Sequence, residues 1–358
     1  MTLDEISITL VYSAMAVYAI AFIAYAIDLA RRSAVAASAA DAANAARDAS
    51  SPAAATVGAP ATVGAPATVG AAVSGAGRAP GAPAKAGRGA ASASAIAGAS
   101  VAYGRSPSLR VGVAMTVLAW ALHLAADITR GLAAGRVPWA NMYEFALTGT
   151  LIITTVYLLV LVVSKHDLRF LGTFITGLVL VLLGVATVNF YVSVVPLPPA
   201  LQSAWLIIHV FVATSATGFL ALGFALSVVQ LMQARRETVL ATAKDVKRSF
   251  LATLPDSATL ENLAYRVIII GFILWTFTLM AGAIWAEAAW GRYWGWDTKE
   301  VWTFIIWVVY AGYIHARATR GWRGSRSAWL AIIGFSTVMF NFTVVNLFFK
   351  GLHAYSGL

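Results

Sequence analysis

Eight stretches of apolar residues recur along the chain, near 6–28, 111–130, 142–163, 169–189, 204–232, 264–286, 300–317 and 328–349. A helix needs roughly 20 residues to cross the ~30 Å hydrocarbon core of a bilayer. In that medium every backbone polar group must find its partner inside the structure, and stretches of this length achieve it as helices. The expected fold is therefore all-α: a polytopic membrane protein with about eight transmembrane helices. Composition agrees, since 60% of residues are apolar or aromatic and only 11% charged, whereas a soluble domain is nearer a quarter charged. The first stretch is too long for a removable signal and has no small-residue cleavage site after it, so residues 1–32 read as an N-terminal anchor.

Residues 33–107 are a different material. They are mostly Ala, Gly, Ser, Pro and Val, and from Ala55 to Gly70 the sequence ATVGAP repeats. Repeated Gly and Pro break helices, and almost no large apolar side chain is present to build a core. A flexible cytoplasmic linker is expected there, followed by a seven-helix membrane core over 108–358. Lys and Arg set the expected orientation: one set of loops carries 20 of them and the other five, which puts both termini on the outer face. The net charge of +10 is thus an orientation signal that requires no nucleic-acid partner.

The chain has no cysteine, which excludes disulfides, thiolate metal sites, thiol nucleophiles and covalent haem attachment to itself. No nucleophile–His–acid set and no phosphate loop is apparent. The densest anomaly is the outer loop 285–307, which holds six of the twelve tryptophans: Trp285, Trp290, Trp294, Trp296, Trp302 and Trp307. An interfacial aromatic belt needs one or two per helix end. Rings interleaved with Gly291, Gly295 and Asp297-Thr298-Lys299-Glu300 instead suit a large, flat, apolar ligand, with Arg292 and Lys299 beside it to pair with carboxylates.

The histidines point the same way. Neutral imidazole is a strong axial ligand for haem iron. His209 lies about 8 Å below the outer edge of the fifth stretch at 1.5 Å per residue, and His353 follows the outer end of the eighth. The two flank one aromatic loop. His315 and His123 lie within apolar stretches, where an ionisable side chain is functional by default, although a neutral histidine bonded to a neighbouring helix is the alternative for either. His166 reads as part of a solvated turn, Asn341 and Asn346 as bonds between helices, and Asp127, Glu144 and Glu287 as hydrated carboxylates near the outer surface.

The stretch WGRYWGWDTKEVW resembles the tryptophan-rich WWD signature of the haem-handling proteins of cytochrome c biogenesis, above all the CcsA/ResC component (also called CcsB) of the system II haem lyase. Two further pieces agree: Pro138-Trp139-Ala140-Asn141-Met142-Tyr143-Glu144, and Leu201-Gln202-Ser203 with Trp205 and His209. Thr298 departs from the proline usual after the aspartate, which loosens the turn and removes no candidate ligand. The resemblance covers roughly residues 110–358. It implies a haem-presenting subunit of a holocytochrome c synthase, with haem b as cofactor and cargo. It further implies His209 and His353 as axial ligands of an external haem, Trp290, Trp294, Trp296, Asp297 and Trp302 as that external haem's shelf, and a second, intramembrane haem on His315. The opposing intramembrane ligand comes from a partner or from His123. The partners it implies are a ResB-like membrane protein, apocytochrome c and membrane lipid, in the bacterial cytoplasmic membrane. An exporter of haem or another amphipathic anion, and a scaffold whose Trp loop docks a partner, are the alternatives.

Overall fold

The computed structural model describes residues 1–50, 106–197, 199–242, 249–319, 322–349 and 351–352. Among them every regular element is helical: α1 (Leu3–Ser50), α2 (Pro107–Ala134), α3 (Met142–Val163), α4 (Gly172–Asn189), α5 (Ala204–Thr242), α6 (Ser257–Trp290), α7 (Thr298–Ala318) and α8 (Ser325–Phe340). A π-helical turn, Asn341–Val345, continues α8 into Asn346–Phe348.

Each apolar stretch lies on one of these helices. By length and apolarity seven of the eight qualify as spans, and α7 does not. Its ends carry Lys299 and Glu300 on one side and His315 and Arg317 on the other, which dilutes an otherwise apolar segment. The anchor also differs from its expected length. Residues 33–50 contain no Gly or Pro and are dominated by Ala, the best helix former, and α1 continues through them to Ser50. The rest of the expected linker, with its ATVGAP repeat, lies outside the described residues.

Small residues let the helices approach closely, as is usual where lipid removes the hydrophobic drive between them. A Cβ on Gly271 of α6 would sit 2.8 Å from Leu220 of α5, and one on Gly112 of α2 would sit 2.8 Å from the Tyr25 ring of α1. The core falls into two main clusters. Tyr18, Tyr157, Phe170, Val179 and Leu226 belong to one, and Leu220, Ile268, Trp275, Ile306, Tyr310 and Phe335 to the other.

At the end of the bundle that carries the Trp loop, the helices are tied by a buried charge cluster. Arg130 of α2 and Glu144 of α3 are both 0% exposed. Arg130 donates to Glu144 at 3.0 Å, to Asp4 of α1 and to the Val192 carbonyl at 2.7 Å. Arg136 donates to the other Glu144 oxygen at 2.7 Å, and the Tyr191 hydroxyl donates to Asp4 at 2.9 Å. This corrects the sequence expectation for Glu144: its carboxylate is not hydrated but sealed between two guanidiniums. The opposite end is tied more lightly, by Arg317 with Glu261 at 3.2 Å and Asn262 at 2.7 Å.

Removing one member of a buried ion pair strands the other and costs about 3–5 kcal/mol. Arg130→Met is therefore expected to lower the unfolding free energy in detergent by about that much. Arg169→Met, at the more exposed Arg169–Asp167 pair, should change it by about 0–1 kcal/mol. Equal effects of the two substitutions would contradict this assignment.

Candidate functional site

Three segments distant in sequence converge at the Trp-loop end: Trp139–Met142 at the start of α3, Leu201–Val210 at the start of α5, and Trp285–Thr303 across the α6–α7 turn. They enclose a chamber of about 1330 Å³, counting its open mouth, with Trp139, Asn141, His209, Trp285 and Lys299 in its wall. Toward the middle of the bundle it reaches Ile153, Thr217 and Phe335. Along α3 this is a depth of about 16 Å at 1.5 Å per residue. A smaller cavity of about 510 Å³, likewise counting its open mouth, shares His209, Thr278, Trp285, Lys299 and Thr303 with the chamber, and adds Trp290, Tyr293 and Trp294.

His209 stands between the two. Its Nδ1 lies 3.0 Å from the Thr278 carbonyl oxygen. A carbonyl only accepts, so Nδ1 carries the proton and Nε2 the lone pair. The ring stacks on Trp285 with centroids 5.8 Å apart and planes 19° from parallel. Gly282 supplies the room, because a Cβ there would be 2.8 Å from the imidazole. Trp285 in turn meets Trp290 edge-on at 4.8 Å. The result is an oriented imidazole with a set tautomer, the arrangement that a metal-ligating histidine requires.

The loop beyond is held by one carboxylate. Gly291, at φ +69°, ends α6 in the left-handed conformation that glycine tolerates. Trp296 adopts φ +57° without that freedom, a strained conformation that persists only where neighbours fix it. Glu300, buried in the first turn of α7, fixes it: one of its oxygens accepts from the Gly295 N–H at 2.8 Å and the Asp297 N–H at 3.0 Å, one on each side of Trp296. The Trp296 ring is left 75% exposed, edge-on to Trp294 at 5.9 Å. Asp297 accepts from the Leu352 N–H at 3.2 Å, which docks the end of the described chain against the loop.

The expected site residues thus separate. His209, Trp290 and Trp294 line one cavity. Trp296 and Asp297 shape the loop at its rim. Trp302 packs against Phe340 of α8 at 4.3 Å and lines neither cavity. His123 is fully buried, with Nε2 3.0 Å from the Leu147 carbonyl and Nδ1 3.4 Å from the Tyr18 hydroxyl. Both nitrogens are engaged between helices, and iron ligation would require breaking one of these contacts. His315 lies exposed in the last turn of α7, about 24 Å along that helix from Lys299. His353 lies outside the described residues. Sequence reading did not single out the Thr278 carbonyl that orients His209, since any residue supplies one. Nor did it find the chamber, although Asn341 and Asn346 in an apolar stretch were a signal for it.

Residues 139–353 match the family model described as cytochrome c assembly protein, a range that holds every lining residue of both cavities. The chain is similar to the cytochrome c biogenesis protein CcsA of Guillardia theta, 36% identical over 263 residues, covering 69% of this chain and 86% of that protein. The protein of that name from Prochlorococcus marinus is 34% identical over 273 residues, covering 70% and 84%. The one from Synechococcus elongatus is 35% identical over 283 residues, covering 68% and 86%.

Glu300→Ala removes the acceptor that fixes the loop. The loss of about 1 kcal/mol usual for such a helix-start contact should speed tryptic cleavage after the exposed Arg292 on the order of fivefold. An unchanged rate would contradict the role given to Glu300.

Proposed function

The chain belongs to the cytochrome c assembly protein family and acts in cytochrome c biogenesis as an integral membrane protein, and on that premise we propose that it presents haem b, as cargo, at the outer face of the bacterial cytoplasmic membrane. The observation that carries the proposal is His209, its tautomer set by Thr278 and its ring stacked on Trp285 at the junction of two cavities. A hydrogen bond from Nδ1 raises the basicity of Nε2 and favours iron binding there. The residues present suit haem: a fixed imidazole, the rings of Trp285, Trp290 and Trp294, and the Lys299 ammonium for a propionate.

In this reading His353 is the opposing ligand, and the Asp297–Leu352 contact supports it by bringing the chain up to the loop one residue earlier. His315, facing outward from α7, suits an intramembrane haem completed by a ligand from a ResB-like partner. Haem supplies vinyl groups to which the thiols of an apocytochrome CxxCH motif add: each C–S bond forms as the S–H bond is lost and its hydrogen passes to the neighbouring vinyl carbon. The chain's own part is to hold the ring system flat, fix the iron and leave one edge open to the incoming thiols. The absence of cysteine is compatible with the thiols belonging wholly to the apocytochrome.

His209→Ala is expected to abolish cytochrome c maturation while the protein still inserts at normal levels, measured as covalent haem in the client cytochromes. Normal maturation would contradict the proposal. The cysteine-free chain also permits a direct topology test. Tyr293→Cys should react with a membrane-impermeant maleimide on intact cells and His166→Cys should not; the reverse would place the loop inside.

A further inference from the structure

Between α4 and the short turn Pro199–Leu201 the chain departs from helix altogether. Residues 191–197, Tyr-Val-Ser-Val-Val-Pro-Leu, run with neither turn nor bend. Over Tyr191–Val195 the exposure alternates: Tyr191, Ser193 and Val195 are exposed, and Val192 and Val194 are half-buried. That is the period of a β-strand, and Tyr and Val are strong strand formers. No second strand steadies this one among the described residues. Side chains hold it instead. Arg130 donates to the Val192 carbonyl at 2.7 Å, Arg136 to the Val195 carbonyl at 3.4 Å and Gln202 to the Leu197 carbonyl at 2.9 Å. The Tyr191 hydroxyl donates to Asp4, and its ring meets Tyr143 edge-on at 5.1 Å.

In an extended chain the N–H and C=O of one residue point to the same edge, and those of the next residue to the opposite edge. With Val192 turned toward Arg130, Tyr191 and Ser193 address the other edge. Neither the backbone N–H nor the C=O of these two has a hydrogen-bond partner among the described residues. Such an edge is a template for a second extended chain. The five residues make it about 17 Å long at 3.3 Å per residue, and the arginine contacts fix its shape before anything binds. Its far end enters the site, because Leu197 packs into the cluster that holds Leu206, Val210 and Trp285.

We infer that Tyr191–Val195 is a docking edge for the client polypeptide: an extended segment of the apocytochrome adds to it as a β-strand and is led to the Trp285 end of the cavity. The inference rests on the haem-presentation reading, which supplies the occupant. Thiols that add to the vinyl groups of a bound haem come from a chain that has not folded around it, and such a chain has backbone free to pair. Strand addition draws its affinity from main-chain hydrogen bonds, so one edge serves clients of differing sequence.

The test uses the full-length protein in mild detergent and a fluorescent apocytochrome peptide spanning the CxxCH motif, its cysteines replaced by serine, with binding read by anisotropy. Ser193→Pro removes the central N–H while permitting extended backbone. It is expected to weaken peptide binding about fivefold, as for loss of one hydrogen bond, and Ser193→Val, which keeps the N–H, to leave it unchanged. A series of peptides carrying single N-methyl groups, bound to the wild type, should lose affinity at every second position, and this series carries the test should Ser193→Pro fail to fold. In cells, a benzophenone attached to Ser193→Cys, the single thiol of the chain, should capture apocytochrome. Binding indifferent to Ser193→Pro, N-methyl losses without a period of two, or capture of the ResB-like partner in place of the client overturns the inference. The haem-presentation proposal fails separately, through normal maturation in His209→Ala, whereas the peptide measurements need no bound haem.

Discussion

The Glu144 carboxylate, sealed from water between Arg130 and Arg136, is the contact on which the site depends. Through Arg130, which also donates to Asp4 of α1 and to the Val192 carbonyl, it ties together α1, α2, α3 and the segment around Val192. It also sets the chamber wall, because its Oε2 accepts from the Ala140 N–H at 3.0 Å while its own N–H donates to the Asn141 side chain at 2.9 Å. The Trp139–Met142 segment is thereby held against the mouth of α5. Buried charges repay their desolvation only with full pairing, and this carboxylate has it. Rigidity at one end of the bundle is what a site for a large flat ligand requires.

A second carboxylate repeats the principle on a smaller scale. Glu300 clamps the peptide N–H groups on both sides of Trp296 and so holds a strained residue at the tip of the loop. Between these two clamps sits His209, oriented by a backbone carbonyl and an indole face. Glu144 lines neither cavity, whereas Glu300 also reaches the wall of the smaller one. Each fixes a segment that lines a cavity.

Much of this was legible in the sequence because a membrane imposes a long, unambiguous period: every apolar stretch became a helix. The extension of α1 to Ser50 could have been read from the absence of Gly and Pro before Pro52. The aromatic loop and His209 were legible because tryptophans and histidines are rare in such chains. Pairings were not. Glu144 looked hydrated because a residue near a helix start is usually near water, and nothing in the sequence shows that Arg130 and Arg136 fold onto it. Trp302 counted with the loop by proximity along the chain, yet the helical turn carries it to Phe340. His123 is settled between Tyr18 and Leu147, contacts more than twenty residues distant in sequence.

The most direct test of haem presentation at His209 is the absorption spectrum, oxidised and reduced, of the purified protein from haem-replete cells, with and without the proposed ResB-like partner, beside His209→Ala/His353→Ala. A low-spin spectrum of two-histidine ligation that weakens in the double variant is the predicted result. A well-folded protein without haem in both wild-type preparations, or a spectrum indifferent to the two substitutions, would contradict it.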